Sequence, residues 1–246
     1  MSSALEIFRS QVVHDLLLLA QWQNRELQPE DVARIGNSGF SDQLALNLES
    51  QAGREGLMLL DTALEELRTN PDQSLYDEHA VDFAAIYLNN QYGASPCESV
   101  WIDEDGLTMQ EPMFQNREWF TQMGLEVPDW RLRTDDHLVV QLQFVAILIE
   151  RPGIDSLAQA ARYLDEHLLR WIHDFARRVA SRSLTPLYAG LVTVMVAYLE
   201  ELRDVMVVIL DQPRPSPEEI EERMKPRAQV EVNVPESFLP GAAPSW

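Results

Sequence analysis

Apolar residues recur at three- and four-residue spacing along most of the chain, and no segment alternates in the manner of a half-buried strand. This periodicity predicts helices over about 4–25, 29–36, 42–69, 76–91, 112–124, 138–149, 154–179 and 185–210. The segment 42–69 contains Gly53 and Gly56, near which we expect an interruption. Successive helices with short connections predict an all-α fold, a single globular bundle of about ten helices.

The composition changes near Asp211. Beyond Asp211 the chain carries seven of its 14 prolines, many acidic residues and few apolar ones. Such a composition predicts that 211–246 forms a mobile or surface-draped acidic tail, with at most one helical turn near 217–224.

An irregular segment separates two predicted helices at residues 92–101. Gly93 and Pro96 interrupt the helical pattern, and Trp101 restores a large apolar side chain directly afterwards. Because an irregular backbone does not use all of its polar groups in a ladder, this segment is suited to line a groove. The alternative is a surface connection whose apolar residues fill the core. The side chains with chemical capacity are Tyr92, Cys97, Glu98, Ser99 and Trp101.

Polar residues also precede the most apolar predicted helix, 138–149. Asp135, Asp136 and His137 stand before its first turn, and Gln141 lies four positions after His137, so the two share a face. The aspartates are candidates for binding a cation. Alternatively they cap the helix, since negative charge is favoured at a helix N-terminus by about 0.3–1 kcal/mol, and His137 is structural.

The net charge of the chain limits the classes of partner that it can bind. Forty acidic and 19 basic residues give a formal net charge of −21, which repels nucleic-acid phosphates and anionic lipid and favours a basic partner. Alternatively, the charge serves solubility alone. The longest apolar runs are too short to span a bilayer, and the N-terminus lacks a basic signal-peptide region. The single cysteine excludes an internal disulfide, so we expect a cytoplasmic protein without stable membrane insertion.

Catalytic and metal signatures are absent from the sequence. Cys97 has no cysteine-hydrolase context, and Ser99 lacks the glycines of a nucleophile elbow. His167 and His173 face different sides of a predicted helix, and no phosphate-binding loop is present. The acidic run 103–106 does not fit a calcium loop, because carboxylates are missing at its ends. We therefore expect no enzymatic activity, no metal and no cofactor.

Three blocks of sequence together resemble a known family. Tyr87-Leu88 with the stretch 95–101, then the block 135–138, then 167–175 are similar in order and spacing to the TorD/DmsD/NarJ family of redox-enzyme maturation chaperones. The likeness covers about residues 76–210. It implies an N-terminal helical half over residues 1–130 and a C-terminal helical half over 131–210, joined by a hinge near 131–135. It implies an all-helical cytoplasmic chaperone without metal or catalytic cofactor. Such a chaperone binds the twin-arginine leader and the catalytic subunit of a molybdoenzyme until the molybdenum cofactor is inserted.

The resemblance also assigns residues. The family's Pro-aromatic-Glu/Gly-Ser-Val-aromatic motif falls on Pro96 to Trp101, with Cys97 standing where relatives have an aromatic residue, and its Asp-His pair falls on Asp136 and His137. The predicted peptide-binding set is Tyr92, Pro96, Cys97, Glu98, Ser99, Trp101, Asp135, Asp136, His137 and Gln141. The residues predicted to be structural or secondary contacts are Tyr87, His167 and Trp171.

Other interpretations remain open at this point. The protein is alternatively a non-catalytic helical adaptor that docks another basic or amphipathic partner, or a protein that presents molybdopterin directly. We expect a monomer, and exchange of helical halves about the hinge would allow a dimer. The client enzyme, the binding of a nucleotide or pterin and the role of the tail are not determined by the sequence.

Overall fold

The computed structural model describes residues 4–36 and 38–225, and this part of the chain is helical without a β-strand. The all-α prediction is confirmed. A 3-10 turn spans Ser41–Gln43, and π-helical segments extend α4 over Ala84–Leu88 and join α8 to α9 over Leu164–Leu168. The α-helices are α1 (Ala4–Asn24), α2 (Pro29–Ile35), α3 (Gln51–Thr69), α4 (Gln73–Phe83), α5 (Ser99–Ile102), α6 (Glu111–Gln122), α7 (Leu138–Glu150), α8 (Ile154–Tyr163), α9 (Leu169–Arg182), α10 (Pro186–Leu210) and α11 (Pro217–Met224).

Helix α3 packs closely along α10, and glycines make this approach possible. A Cβ atom on Gly56 would lie 3.0 Å from the Thr193 side chain, and one on Gly190 would lie 2.7 Å from the backbone nitrogen of Leu60. The segment 42–69 is interrupted at residues 44–50, before α3. The prediction that the interruption falls near Gly53 and Gly56 is wrong, since α3 passes through both positions without a break. These glycines serve helix packing rather than a turn.

Helix α7 is the centre of the core and packs against α1. Arg9 of α1 donates from its guanidinium to the carbonyl oxygens of Ile149 at 2.5 Å and Gly153 at 2.5 Å. It thereby satisfies the carbonyl of Ile149, which the last turn of α7 leaves without a helical partner. Helices from the predicted N-terminal and C-terminal halves share one hydrophobic core. The hinge that would divide them stays a prediction.

The first part of the predicted tail contacts the helical body. Glu221 pairs with Arg170 at 3.1 Å, and Gln115 donates to the carbonyl of Met224 at 3.1 Å. Helix α11 is longer than the single turn predicted, because Ser216 and Glu219 form a capping box at its start. Residues 226–246 lie outside the described residues, so the mobility of the tail stays a prediction. None of the described helices is long and apolar enough to cross a membrane.

Candidate functional site

Two blocks that are distant in sequence meet at the N-terminus of α7. The backbone nitrogen of Glu98 donates to the carbonyl of Asp136 at 3.1 Å, and that of Leu138 donates to the carbonyl of Pro96 at 2.8 Å. These bonds form an isolated antiparallel β-bridge between the irregular segment and the start of α7. The stretch 95–101 and the block 135–138 are therefore held side by side.

Asp136 is fully buried and binds the first turn of α5. Its Oδ2 atom accepts hydrogen bonds from the backbone nitrogen of Ser99 at 2.9 Å and from the Ser99 hydroxyl at 2.5 Å. The Ser99 oxygen in turn accepts from the backbone nitrogen of Gln110 at 3.2 Å. Among the described residues, Oδ1 of Asp136 has no hydrogen-bond partner. One carboxylate oxygen is thus committed to the fold, and the other is not.

His137, and neither aspartate, caps α7. Its Nδ1 atom accepts from the backbone nitrogen of Val139 at 3.1 Å, which requires that Nδ1 carry no proton. Burial, with a contribution from the Arg133 cation, lowers the pKa of His137 to about 3 and keeps the ring neutral. Asp135 instead pairs with Arg117 at 2.7 Å. The alternative that Asp135 or Asp136 caps α7 is therefore wrong, because the His137 side chain occupies the N-cap position.

A polar cluster lies beneath the irregular segment, inside the core. Glu98 accepts from Gln141 at 2.6 Å and from Asn116 at 2.9 Å, and its Oε2 lies 3.0 Å from Nδ1 of His167. All four side chains are completely buried. Trp171 joins the cluster by donating from its indole nitrogen to Gln141 at 3.2 Å. The third block of sequence, 167–171, therefore meets the first two through this network.

Sequence reasoning missed three members of the network. Asn116 contacts Glu98, Gln141 and His167, the Tyr163 hydroxyl donates to Asn116, and Arg170 lies 3.7 Å from Glu98. The signal was available for Asn116, because it lies on the same face of α6 as Met113 and Phe120, both of which are buried. A polar residue on an apolar helix face requires a buried partner.

The partly exposed members of the predicted set are Cys97, Trp101 and His137. The Trp101 indole donates to the carbonyl of Ser95 at 2.8 Å, and the guanidinium of Arg178 lies 5.4 Å from its ring centroid. Burial, with the nearby charge of Asp136, raises the pKa of the Cys97 thiol to about 11. These three side chains form the part of the site that solvent reaches.

Tyr92 and Tyr87 make their polar contacts elsewhere. The Tyr92 hydroxyl donates to Asp82 at 2.6 Å, and burial together with this bond raises the pKa of Tyr92 to about 12. Asp82 also accepts from the backbone nitrogen of Thr185 at 2.8 Å, just before α10. Tyr87 donates to Gln23 of α1. Both tyrosines bond to residues outside the Glu98 cluster, and the peptide contact assigned to Tyr92 stays a prediction.

Comparison with known proteins places these motifs in a family. The family model described as "Nitrate reductase delta subunit" matches residues 48–177, a range that contains all three motif blocks. The "Chaperone protein TorD" of Vibrio cholerae serotype O1 (strain M66-2) is 31% identical over 193 residues, covering 72% of this chain and 83% of the relative. The chain belongs to the TorD/DmsD/NarJ family.

Other relatives of this chain carry the same name. The "Chaperone protein TorD" of Psychrobacter sp. (strain PRwf-1) is 28% identical and covers 69% of this chain and 77% of the relative. The "Chaperone protein TorD" of Vibrio vulnificus (strain YJ016) is 26% identical, and the match covers 71% of this chain and 84% of the relative. All three relatives are named as chaperones and not as enzymes.

No group of three or more His, Cys, Asp and Glu side chains within residues 4–36 and 38–225 is arranged to hold a metal ion. The expectation that the protein works without a metal or cofactor stays a prediction.

Proposed function

We propose that this chaperone acts in the cytoplasm on a molybdopterin-containing oxidoreductase. It binds the twin-arginine signal peptide and the catalytic subunit until the molybdenum cofactor is inserted, and before export. The observation that carries the proposal is the convergence of the three motif blocks in one network, in a chain that belongs to the family. The same network holds Asp136 beside Cys97, Trp101 and His137, the partly exposed side chains that support recognition at this place.

Recognition of an arginine requires a carboxylate in a partly dry setting. The Oδ1 atom of Asp136 meets this requirement, because its partner oxygen Oδ2 alone holds Ser99. A leader guanidinium pairs with Oδ1 without displacing those bonds. Since Asp136 is buried, the pairing requires a local rearrangement that uncovers Oδ1 while Ser99 stays bound to Oδ2.

The apolar part of a leader needs a neighbouring apolar surface. Trp101, at the end of the segment 96–101, is partly exposed, and the half-buried side chains of Cys97 and His137 continue the surface. The net charge of −21 raises the rate of encounter with a cationic peptide. Together these features support peptide contacts by the loop and the start of α7.

The test is calorimetric titration of a twin-arginine leader into an Asp136→Asn variant. Asparagine keeps an acceptor for Ser99 but removes the charge, so we expect the fold to persist and the affinity to fall about tenfold or more. The matched control is Asp174→Asn, whose side chain is 57% exposed and paired with Arg177. Equal affinity of the two variants for the leader would contradict the role of Asp136.

A second candidate is an adaptor that docks a different basic or amphipathic partner through the acidic surface. The net charge favours it, since any cationic partner is attracted. It predicts that replacing both leader arginines with lysine leaves binding unchanged, because a general field does not distinguish the planar guanidinium from an ammonium.

A further inference from the structure

One aromatic ring of the candidate site is held in a fixed orientation. The indole nitrogen of Trp101 donates to the carbonyl of Ser95 at 2.8 Å. The ring is nearly perpendicular to that of Phe175 on α9, with an interplanar angle of 88° and centroids 6.4 Å apart. Trp101 nevertheless stays partly exposed. Because these contacts fix the ring, a ligand that stacks on its exposed part meets a surface that is already ordered.

A guanidinium group of the chain itself lies against this ring. The central carbon of the Arg178 guanidinium is 5.4 Å from the Trp101 ring centroid, within the distance of a cation–π contact. Arg178 also donates to the carbonyl of Gly93 at 3.0 Å. Within the described ranges 4–36 and 38–225, no ion pair joins Arg178 to a carboxylate. A cation–π contact at an exposed site is weak, so another cation can replace Arg178 on the ring.

The contact is open to solvent. Trp101 and Arg178 line a common depression of the surface beside α9, and both are partly exposed. Among the described residues, the one carboxylate in this lining belongs to Asp174, which pairs with Arg177 at 2.8 Å. The aromatic ring, rather than a free carboxylate, is therefore the group in this depression that is available to a guanidinium.

We propose that the Trp101 ring is a binding site for one arginine of the leader, and that Arg178 occupies this site in the free protein. The site rests on the proposed function, because the competing guanidinium is that of the twin-arginine leader. A guanidinium is planar and stacks on aromatic rings, so the leader arginine reproduces the contact that it displaces. Arg178 then turns into solvent, where its charge is hydrated.

The occupied ring reduces the affinity of the protein for its leader. Only molecules in which Arg178 has left Trp101 accept the leader arginine, so the apparent dissociation constant is the intrinsic one divided by the fraction of such molecules. A cation that stacks less well than Arg178 gains no place on the ring. Arg178 thereby acts as an internal competitor that selects for a guanidinium.

The test is calorimetric titration of a synthetic twin-arginine leader into the parent protein and into an Arg178→Gln variant. Glutamine removes the guanidinium from the ring, so we expect the leader to bind about two- to fivefold more tightly, the factor that corresponds to one exposed cation–π contact. Unchanged or weaker binding would overturn the proposal. Circular dichroism of the variant verifies that the helical fold is retained.

Arg182→Gln is the matched control. Arg182 lies one turn later on α9 and donates to the carbonyl of Tyr92 at 2.6 Å, so it holds the same irregular segment by the same kind of bond. In the part of the chain that the structure describes, it makes no cation–π contact with Trp101. Its replacement removes an equal charge but leaves Arg178 on the ring, and we expect an unchanged affinity. Equal tightening in the two variants would identify charge or a loosened segment as the cause and overturn the proposal.

The same titrations separate the role of Arg178 from the proposed function. A parent protein that binds no leader contradicts both. A parent protein that binds the leader, with an affinity that Arg178→Gln does not raise, contradicts the internal competitor alone.

Discussion

Replacing Glu98 with alanine should destabilise the whole protein. Glu98 is completely buried and accepts hydrogen bonds from Gln141 and Asn116 while facing His167. Its removal takes the acceptor from all three side chains at once. Gln141 retains a contact with Asn116 at 3.2 Å, so the loss is not the sum of three separate bonds.

The expected magnitude follows from the burial of the charge. Removing one partner of a buried charged pair costs about 3–5 kcal/mol. For a chain of this length, each kcal/mol lowers Tm by about 2–4 °C, so we expect a fall of about 10 °C. Glu98→Gln keeps the volume and one acceptor oxygen, and should cost about 1–3 kcal/mol.

Urea denaturation followed by tryptophan fluorescence measures both losses, and an unchanged slope shows that the folded state stays compact. Glu222→Ala is the control, since that side chain is exposed and pairs with Lys225 on the surface, and should stay within about 0.5 kcal/mol of the parent. A loss below about 1 kcal/mol for Glu98→Ala would refute the account of the buried cluster. A double-mutant cycle with His167→Ala should give a coupling energy of about 0.5–3 kcal/mol.

Three further outcomes are expected. The pKa of His137 is lowered in the folded state, so its protonation favours unfolding, and its contribution to stability is lost as the pH falls from about 6.5 toward 3. His137→Asn keeps a helix cap but does not titrate. The free energies of unfolding of the parent and of this variant, measured by denaturant titration, should therefore converge as the pH is lowered. A constant difference between them would contradict His137 as the origin of the pH dependence. Gly190→Ala places a Cβ against the backbone of Leu60 and should cost about 1–3 kcal/mol in thermal unfolding. Val208→Ala, at a position of the same helix that is 81% exposed, should stay within about 0.5 kcal/mol of the parent, and equal losses would exclude packing as the cause. Since the pKa of Cys97 is raised to about 11, iodoacetamide should modify it about tenfold or more slowly than an unfolded thiol at pH 8, and equal rates would refute this burial.

Helical periodicity predicts most of the fold because apolar stripes report burial directly. The boundaries of α1 and α10 follow from such stripes and from Pro186 at the first helical position. Glycine is ambiguous, since Gly56 permits either a turn or a close helix contact. The contact with Thr193 that decides between them involves a residue 137 positions away, so the local sequence does not reveal it.

The candidate site was predictable as a set of motifs but not as a geometry. Family resemblance brings Glu98, Asp136 and His167 to attention together. Their burial depends on Asn116 of α6, which belongs to none of the motifs and supplies polar partners inside the core. Similarly, the cap of α7 comes from His137 because Asp136 is turned toward Ser99. Tertiary hydrogen bonds decide these choices, and local propensities do not.

We propose above that this chaperone recognises the two arginines of a client's twin-arginine leader. The most direct measurement is calorimetric titration with twin-arginine leaders of candidate client molybdoenzymes, each paired with a peptide whose two arginines are lysines. The account predicts binding at micromolar or tighter concentrations that is lost in the lysine peptide, because lysine cannot form the two-pronged contact with a carboxylate. Equal affinity for both peptides, or no binding to any leader, would contradict it.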